Sequence, residues 1–173
     1  PMNVVTFVDN HDSQRHQALE SWIPAWFKPS AYALILLRKD GYPCVFYGDY
    51  YGISGNDPVP GISGDLDGLL LIRQKYAYGD QIDVFDHPNV IAWQRTGDAD
   101  HPGSGLAAVI STGDDGYKDL SFGPAAARSV WTDMTGSITD AVTLTEERAG
   151  RFPVKGGSVS VWVRASSAAM SLS

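Results

Sequence analysis

Four polar residues in a row, Asp9, Asn10, His11 and Asp12, follow the apolar run Val4 to Val8. Two carboxylates, an amide and an imidazole at the end of such a run can bind hydroxyl groups and do acid/base work. A plainer reading stays open beside it. Asp12 or Ser13 starts a turn, and Asp9 and Asn10 merely satisfy backbone groups. A second polar group, Gly48-Asp49-Tyr50-Tyr51, stands after the run Cys44 to Tyr47.

Both groups need elements to hold them. Val4 to Val8 is the β-branched apolar run of a strand buried on both faces, and Cys44 to Tyr47 makes a shorter strand behind Pro43. Between them a helix is predicted from Phe27 to Asp40, with Pro29 in its first turn and Gly41 as a left-handed cap. A second helix is expected from Leu66 to Tyr78, capped by Asp65 or Asp67 and ended by Gly79. The order βαβα signals parallel strands with crossover helices, where catalytic groups gather beyond the carboxyl ends of the strands. Both polar groups fall there.

From Gln81 onward the pattern changes to short strands punctuated by turns. Eight runs are predicted: Ile82 to Phe85, Val90 to Arg95, Leu106 to Ser111, Asp119 to Phe122, Ser129 to Thr132, Ala141 to Leu144, Arg151 to Val154 and Ser158 to Val163. They indicate an antiparallel sandwich. In the last run Val159, Val161 and Val163 point one way and Ser160 and Trp162 the other, so one face is expected in the core. Two βα units cannot close a sheet, and with helices on one side both strands would keep an uncovered face. The expectation is therefore α/β followed by all-β. Residues 1–79 read as the last two βα units of a (β/α)8 TIM barrel, 80–165 as a C-terminal antiparallel Greek-key β-sandwich, and 166–173 as a flexible tail. Pro1 ahead of Met2 fits a chain whose earlier barrel strands lie upstream.

Composition narrows the partners. With 13 Lys+Arg against 20 Asp+Glu the formal charge is −7, which excludes a basic nucleic-acid clamp. The longest apolar run, Tyr32 to Leu37, is far short of the roughly 20 residues of a membrane span, so neither nucleic acid nor membrane is an expected partner. Cys44 is the single cysteine, which rules out an internal disulfide and a multi-thiolate zinc site and leaves a secreted or cytoplasmic location open. The four histidines lack H-E-x-x-H spacing, and no G-x-S-x-G elbow or phosphate-cradling loop is present.

The string Val4-Val5-Thr6-Phe7-Val8-Asp9-Asn10-His11-Asp12 resembles the fourth conserved region of the α-amylases of glycoside hydrolase family 13. Three later strings resemble the bacterial liquefying type: Trp26-Phe27-Lys28-Pro29, the stretch from Gly41 to Gly52, and Gly156-Gly157-Ser158-Val159-Ser160-Val161-Trp162-Val163. The resemblance runs from Val4 to about Arg164 and implies retaining endo-hydrolysis of α-1,4-glucosidic bonds, with an α-glucan as substrate partner. In that chemistry one carboxylate attacks the anomeric carbon, a carboxylic acid protonates the leaving oxygen, and the transition state is oxocarbenium-like.

By that resemblance Asp12 is the transition-state-stabilising carboxylate, His11 binds the same sugar, and Asp9 and Asn10 support them. Trp22 and Trp26 are candidates for lining the cleft, Tyr50 and Tyr51 stand at the second strand mouth, and Asp57 is placed for a more distant sugar. Trp93 and Trp131 read as core. The nucleophile and the acid belong to the missing N-terminal part of the barrel, so the isolated chain is expected to be inactive. The resemblance also implies calcium in the intact enzyme. Asp133 matches a carboxylate ligand between barrel and sandwich, but Pro88-Asn89 stands where relatives carry His-Asp, which weakens that site. Asp65-Leu66-Asp67-Gly68 looks superficially like a calcium loop, yet Gly arrives too early and position twelve is Tyr76, so helix capping is the better account. Two other functions remain as alternatives: a non-catalytic starch-binding or structural module, and an α-glucan transferase of the same family.

Overall fold

A computed structural model describes residues 4–165 of the chain. The tail expected at 166–173 lies outside the described residues. Strand β1, Val5–Phe7, pairs in parallel with β2, Tyr42–Cys44, so that Val5 lies opposite Tyr42 and Phe7 opposite Cys44. Between them a single 3-10 turn, Ala25–Phe27, leads into α1, Lys28–Leu37. The chain then turns through α2, Tyr47–Tyr51, into α3, Ser63–Tyr76. Both parallel strands are three residues long, and Val5 at 59% and Phe7 at 52% stay exposed, as expected for strands with an uncovered face.

All eight runs predicted after Gln81 are strands: β3 Gln81–Val84, β4 Val90–Arg95, β5 Leu106–Ser111, β6 Gly116–Ser121, β7 Val130–Asp133, β8 Val142–Thr143, β9 Ala149–Val154 and β10 Val159–Arg164. Six of them make one antiparallel sheet in the order β3-β4-β5-β10-β7-β8, and β6 with β9 makes the opposing layer of the sandwich.

The pleat explains what fills each face. Trp162 stands opposite Ala107 and Ala92 opposite Val109, and these face β6 and β9, where Phe152, Val154 and Leu120 complete a core with Trp131. Large rings over alanines let the two layers interlock. On the other face of the six-stranded sheet, Trp93, Ala108, Ile110, Val159, Val161 and Val163 pack against Tyr32, Leu36, Leu37, Leu66, Leu69 and Ile72 of α1 and α3. The expectation that β10 has one face in the core holds, and the structure buries the other face as well. Residues Val159 to Val163 are buried on both faces, because α1 and α3 cover the side that a free sandwich would show to water.

Three local expectations change. The second strand is Tyr42–Cys44 instead of Cys44–Tyr47, because the Phe46 carbonyl accepts from the N–H groups of Asp49 and Tyr50, both at 3.1 Å, and so opens α2 instead of extending the ladder. The N-cap of α3 is Ile62, with no side-chain cap, so neither Asp65 nor Asp67 serves there. Gly41 does adopt a left-handed φ of 94°, but α1 has already ended, with extended Arg38 as its cap.

The two halves are also joined by polar groups. The buried Arg95 guanidinium of β4 donates to the Leu37 carbonyl at 3.3 Å and the Gly79 carbonyl at 2.9 Å, while within the first half Arg73 of α3 donates to Leu36 O. These cations satisfy carbonyls that the end of α1 leaves without helical partners.

Candidate functional site

The site begins with Asp9, which is 1% exposed at the end of β1. Its Oδ1 accepts from the Ile23 N–H at 3.2 Å, and its Oδ2 lies 3.0 Å from Lys28 Nζ. Lys28 is the first residue of α1, and its buried ammonium also bonds to Asp49 Oδ1 of α2. One turn further along α1, where residues four apart share a face, Tyr32 donates from its hydroxyl to Asp49 Oδ2 at 2.6 Å. The Trp22 ring covers the cluster, its centroid 3.4 Å from Lys28 Nζ.

Two carboxylates thus share one ammonium inside the protein, and the phenol serves Asp49. Burial pushes the Asp9 carboxyl above its ordinary value, against the pull of Lys28, and burial together with Asp49 pushes the Tyr32 hydroxyl up, so Tyr32 stays protonated and donates.

Beyond Asp9 the chain turns sharply. Asn10 Oδ1 accepts from the N–H groups of Asp12 and Ser13, each at 2.9 Å, and the Asn10 N–H donates to Ser13 Oγ at 3.0 Å. This is an Asx turn, so Asn10 spends its side chain on the backbone. Asp9 and Asn10 therefore satisfy backbone groups, as the plainer reading had it. His11 and Asp12 differ. The Asp12 side chain is 62% exposed, and its described contact is His11 Nε2 at 3.4 Å. Among the described residues the His11 and Asp12 side chains have only each other as a charged partner, and both are exposed to solvent.

The loop that follows is tied down at its far side. Arg15 Nη1 lies 3.2 and 3.1 Å from the two Asp57 oxygens, and His16 Nε2 lies 3.3 Å from Oδ2. The Arg15 guanidinium, helped by His16, holds the Asp57 carboxyl below its ordinary value. Tyr50 gives its hydroxyl to Asp67 of α3 at 2.5 Å, which is the place Asp67 takes instead of a helix cap. Tyr47 and Tyr51 remain exposed with ring centroids 4.7 Å apart. Trp26, 55% exposed, lies elsewhere. It borders a cavity of about 220 Å3 with Pro29, Asp65, Leu69, Met134 and Ser158, and no residue of the Asp9–Asp12 turn lines that cavity. Trp93 and Trp131 are buried in the core, as expected.

The proposed metal ligands are not brought together. Asn89 precedes β4 and Asp133 ends β7, with β5 and β10 between those strands, roughly 14 Å across the sheet at the usual strand spacing, and the register sets Asp133 level with Gln94, further along β4 than Asn89. The Asp133 carboxylate is moreover filled by donors. Its Oδ1 accepts from the N–H groups of Thr135 at 3.0 Å and Val161 at 2.9 Å, and its Oδ2 from Ile138 N–H at 3.1 Å and the Thr135 hydroxyl at 2.8 Å. Those bonds account for Asp133 without a cation, and this donor set does not fit a calcium ligand. Among the described residues no group of three or more His, Cys, Asp or Glu could hold a metal ion. Among the same residues no helix is long and apolar enough to cross a membrane.

Sequence reasoning missed Lys28, Tyr32 and Asp49 as one group. The available signal was a lysine and a tyrosine four apart on a largely apolar helix, together with an aspartate at the second strand mouth.

No protein-family model matches the chain. The similarity is nonetheless not confined to the four strings and runs along most of the chain. The chain is 53% identical over 163 residues to glucan 1,4-alpha-maltohexaosidase of Bacillus sp. (strain 707), which covers 94% of this chain and 31% of that protein. It is 52% identical over 163 residues to the alpha-amylase of Geobacillus stearothermophilus, covering 94% of this chain and 30% of the relative. The chain thus spans about a third of the length of the curated relatives it matches. Among solved structures, the alpha-amylase from Geobacillus thermoleovorans, complexed with acarbose, superposes with a TM-score of 0.64 at 16% identity, over 93% of this chain and 38% of that one. That likeness concerns the fold.

Proposed function

We propose that the chain is the C-terminal part of a bacterial-type α-amylase that cleaves α-1,4-glucans with retention. In this reading residues 1–79 are the last two βα units of the catalytic barrel and residues 80–165 the sandwich behind it. The observation that carries the reading is the Asp9–Asp12 turn. Buried Asp9 and turn-holding Asn10 fix the backbone, and His11 and Asp12 project outward from the carboxyl end of a parallel strand. The close relatives named for glucan cleavage share nearly the whole chain.

Asp12 would accept hydroxyl hydrogen bonds from the sugar and tighten them as positive charge develops at the anomeric carbon, and His11 would donate to the same ring. A carboxylate is suited to this because its charge opposes that of the oxocarbenium-like transition state. The nucleophile and the proton donor come from the part of the longer protein outside these 173 residues. Exposed Tyr47 and Tyr51 offer rings to a neighbouring sugar, and Asp57 stiffens the loop through Arg15. Calcium enters this reading only for the longer protein, since Asp133 is already saturated.

The test is Asp12→Asn in the intact protein. Turnover of a maltooligosaccharide should fall by about a hundredfold or more, the scale of losing one transition-state electrostatic partner, while the melting temperature stays within a few degrees. Most of the activity surviving would defeat the assignment. This chain by itself should show no turnover.

A further inference from the structure

We propose that Lys28 is a positioning residue for the Asp12 carboxylate. The inference rests on the amylase reading of Asp12 and adds a residue which that reading does not use. Lys28 joins two strand mouths in one buried contact: Asp9 at the end of β1, with Oδ2 3.0 Å away, and Asp49 in α2 just past β2. Only Asn10 and His11 separate Asp9 from Asp12, and the Asn10 side chain is spent on closing that turn. A shift of Asp9 is therefore passed on to Asp12. The returning arm of the loop ends on the same carboxylate, through the Ile23 N–H at 3.2 Å. Both arms thus hang on Asp9, and Asp9 hangs on Lys28.

The chemistry of the contact supports a role in geometry over one in strength. A buried ion pair is often no more stabilising than an apolar side chain of equal volume, whereas removing one partner leaves an uncompensated charge that must move or take a proton. Here that partner is shared. Without Lys28, Asp9 and Asp49 face each other across the space the ammonium fills, the Tyr32 hydroxyl serves only Asp49, and Asp9 keeps only the Ile23 amide. The Trp22 ring over the ammonium, itself part of the loop, loses its cation as well.

The experiment compares Lys28→Met and Lys28→Met/Asp49→Asn with the wild type in the intact protein. The double variant removes the repulsion that could unfold the single one. Maltooligosaccharide kinetics, thermal melting and hydrogen exchange of the Ile23, Asp12 and Ser13 amides are read together. The double variant should melt within a few degrees of wild type, keep KM within about threefold and lose at least about tenfold in kcat, because a small misplacement weakens contacts made mainly in the transition state. Its Ile23 amide should exchange at least about tenfold faster, which a residue that merely fills space would not cause. A kcat within twofold of wild type, or an Ile23 amide as slow as before, overturns the proposal. If the wild type fails to cleave glucan, or Asp12→Asn is fully active, the amylase reading fails instead. The amide exchange alone then decides whether Lys28 holds the turn.

Discussion

The sandwich and the β1–β2 mouth are built by opposite means within one chain. In the sandwich, the central strands β4, β5 and β10 bury both faces and large rings lie over alanines, as Trp162 does over Ala107. At the mouth, two strands of three residues leave Val5 and Phe7 exposed, and order comes from Asp9, Lys28, Asp49 and Tyr32. Dispersion and area burial are non-directional, so the sandwich holds its shape through volume. Hydrogen bonds and ion pairs are directional, so the mouth holds its shape through angles. Volume changes should therefore be felt as stability in one region, and charge changes as activity in the other.

The largest effect should come from Phe152→Ala. Phe152 is fully buried against Trp131 and Trp162, with ring centroids 5.8 and 5.6 Å away, and truncation should cost about 3–5 kcal/mol in denaturant unfolding. The folded remainder should keep its turnover per active molecule. A folded Phe152→Ala protein with lost turnover would break the contrast between the regions.

Asp133→Asn comes next. It replaces a carboxylate that ties the Val161 and Ile138 N–H groups by an amide able to keep some of those bonds, for about 1–3 kcal/mol in unfolding measurements. The loss should be the same with calcium as with a chelator. A gap between variant and wild type that appears only with calcium would make Asp133 a metal ligand and move it out of the hydrogen-bonding account.

The smallest effect belongs to Asp57, which pins the loop from the solvent side. Its folded carboxyl lies below the ordinary value of 3.8, because Arg15 and His16 favour the ionised form. The sign follows from linkage: the contribution is complete above 3.8 and is lost as pH falls through the lower folded value. The small difference in melting temperature between wild type and Asp57→Asn should therefore persist from neutrality down to that range and then close. A difference that instead grew on acidification would remove Arg15 as the cause.

The sandwich was the legible half. Its strands are short runs bounded by turn residues, with clear alternation in β10, and β4 and β5 match their predicted ends, Val90–Arg95 and Leu106–Ser111. What the pattern could not reveal was how β10 is covered, because alternation records which residues are apolar and not what lies over them. At the mouth, Asp9 to Asp12 drew notice because four polar residues follow an apolar run. Lys28 did not, since a lysine at a helix start reads as an ordinary solvated end. Its burial depends on Asp9 and Asp49, which lie 19 and 21 positions away, and no local pattern carries that information. The separation of Asn89 from Asp133 was hidden for the same reason, since strand order is a long-range property.

The place of β10 has a consequence for how the molecule is made. Val159–Arg164 sits between β5 and β7, both of which leave the ribosome earlier, so the sheet has a gap in its middle until translation passes Arg164. Until then α1 lacks the β10 valines that cover it, and the alanines that receive Trp162 have no counterpart. Completing the sheet is thus a late, long-range insertion, the kind of step that is slow and open to misassembly on the way. A stop codon just upstream of Val159 should disorder far more than β10 itself.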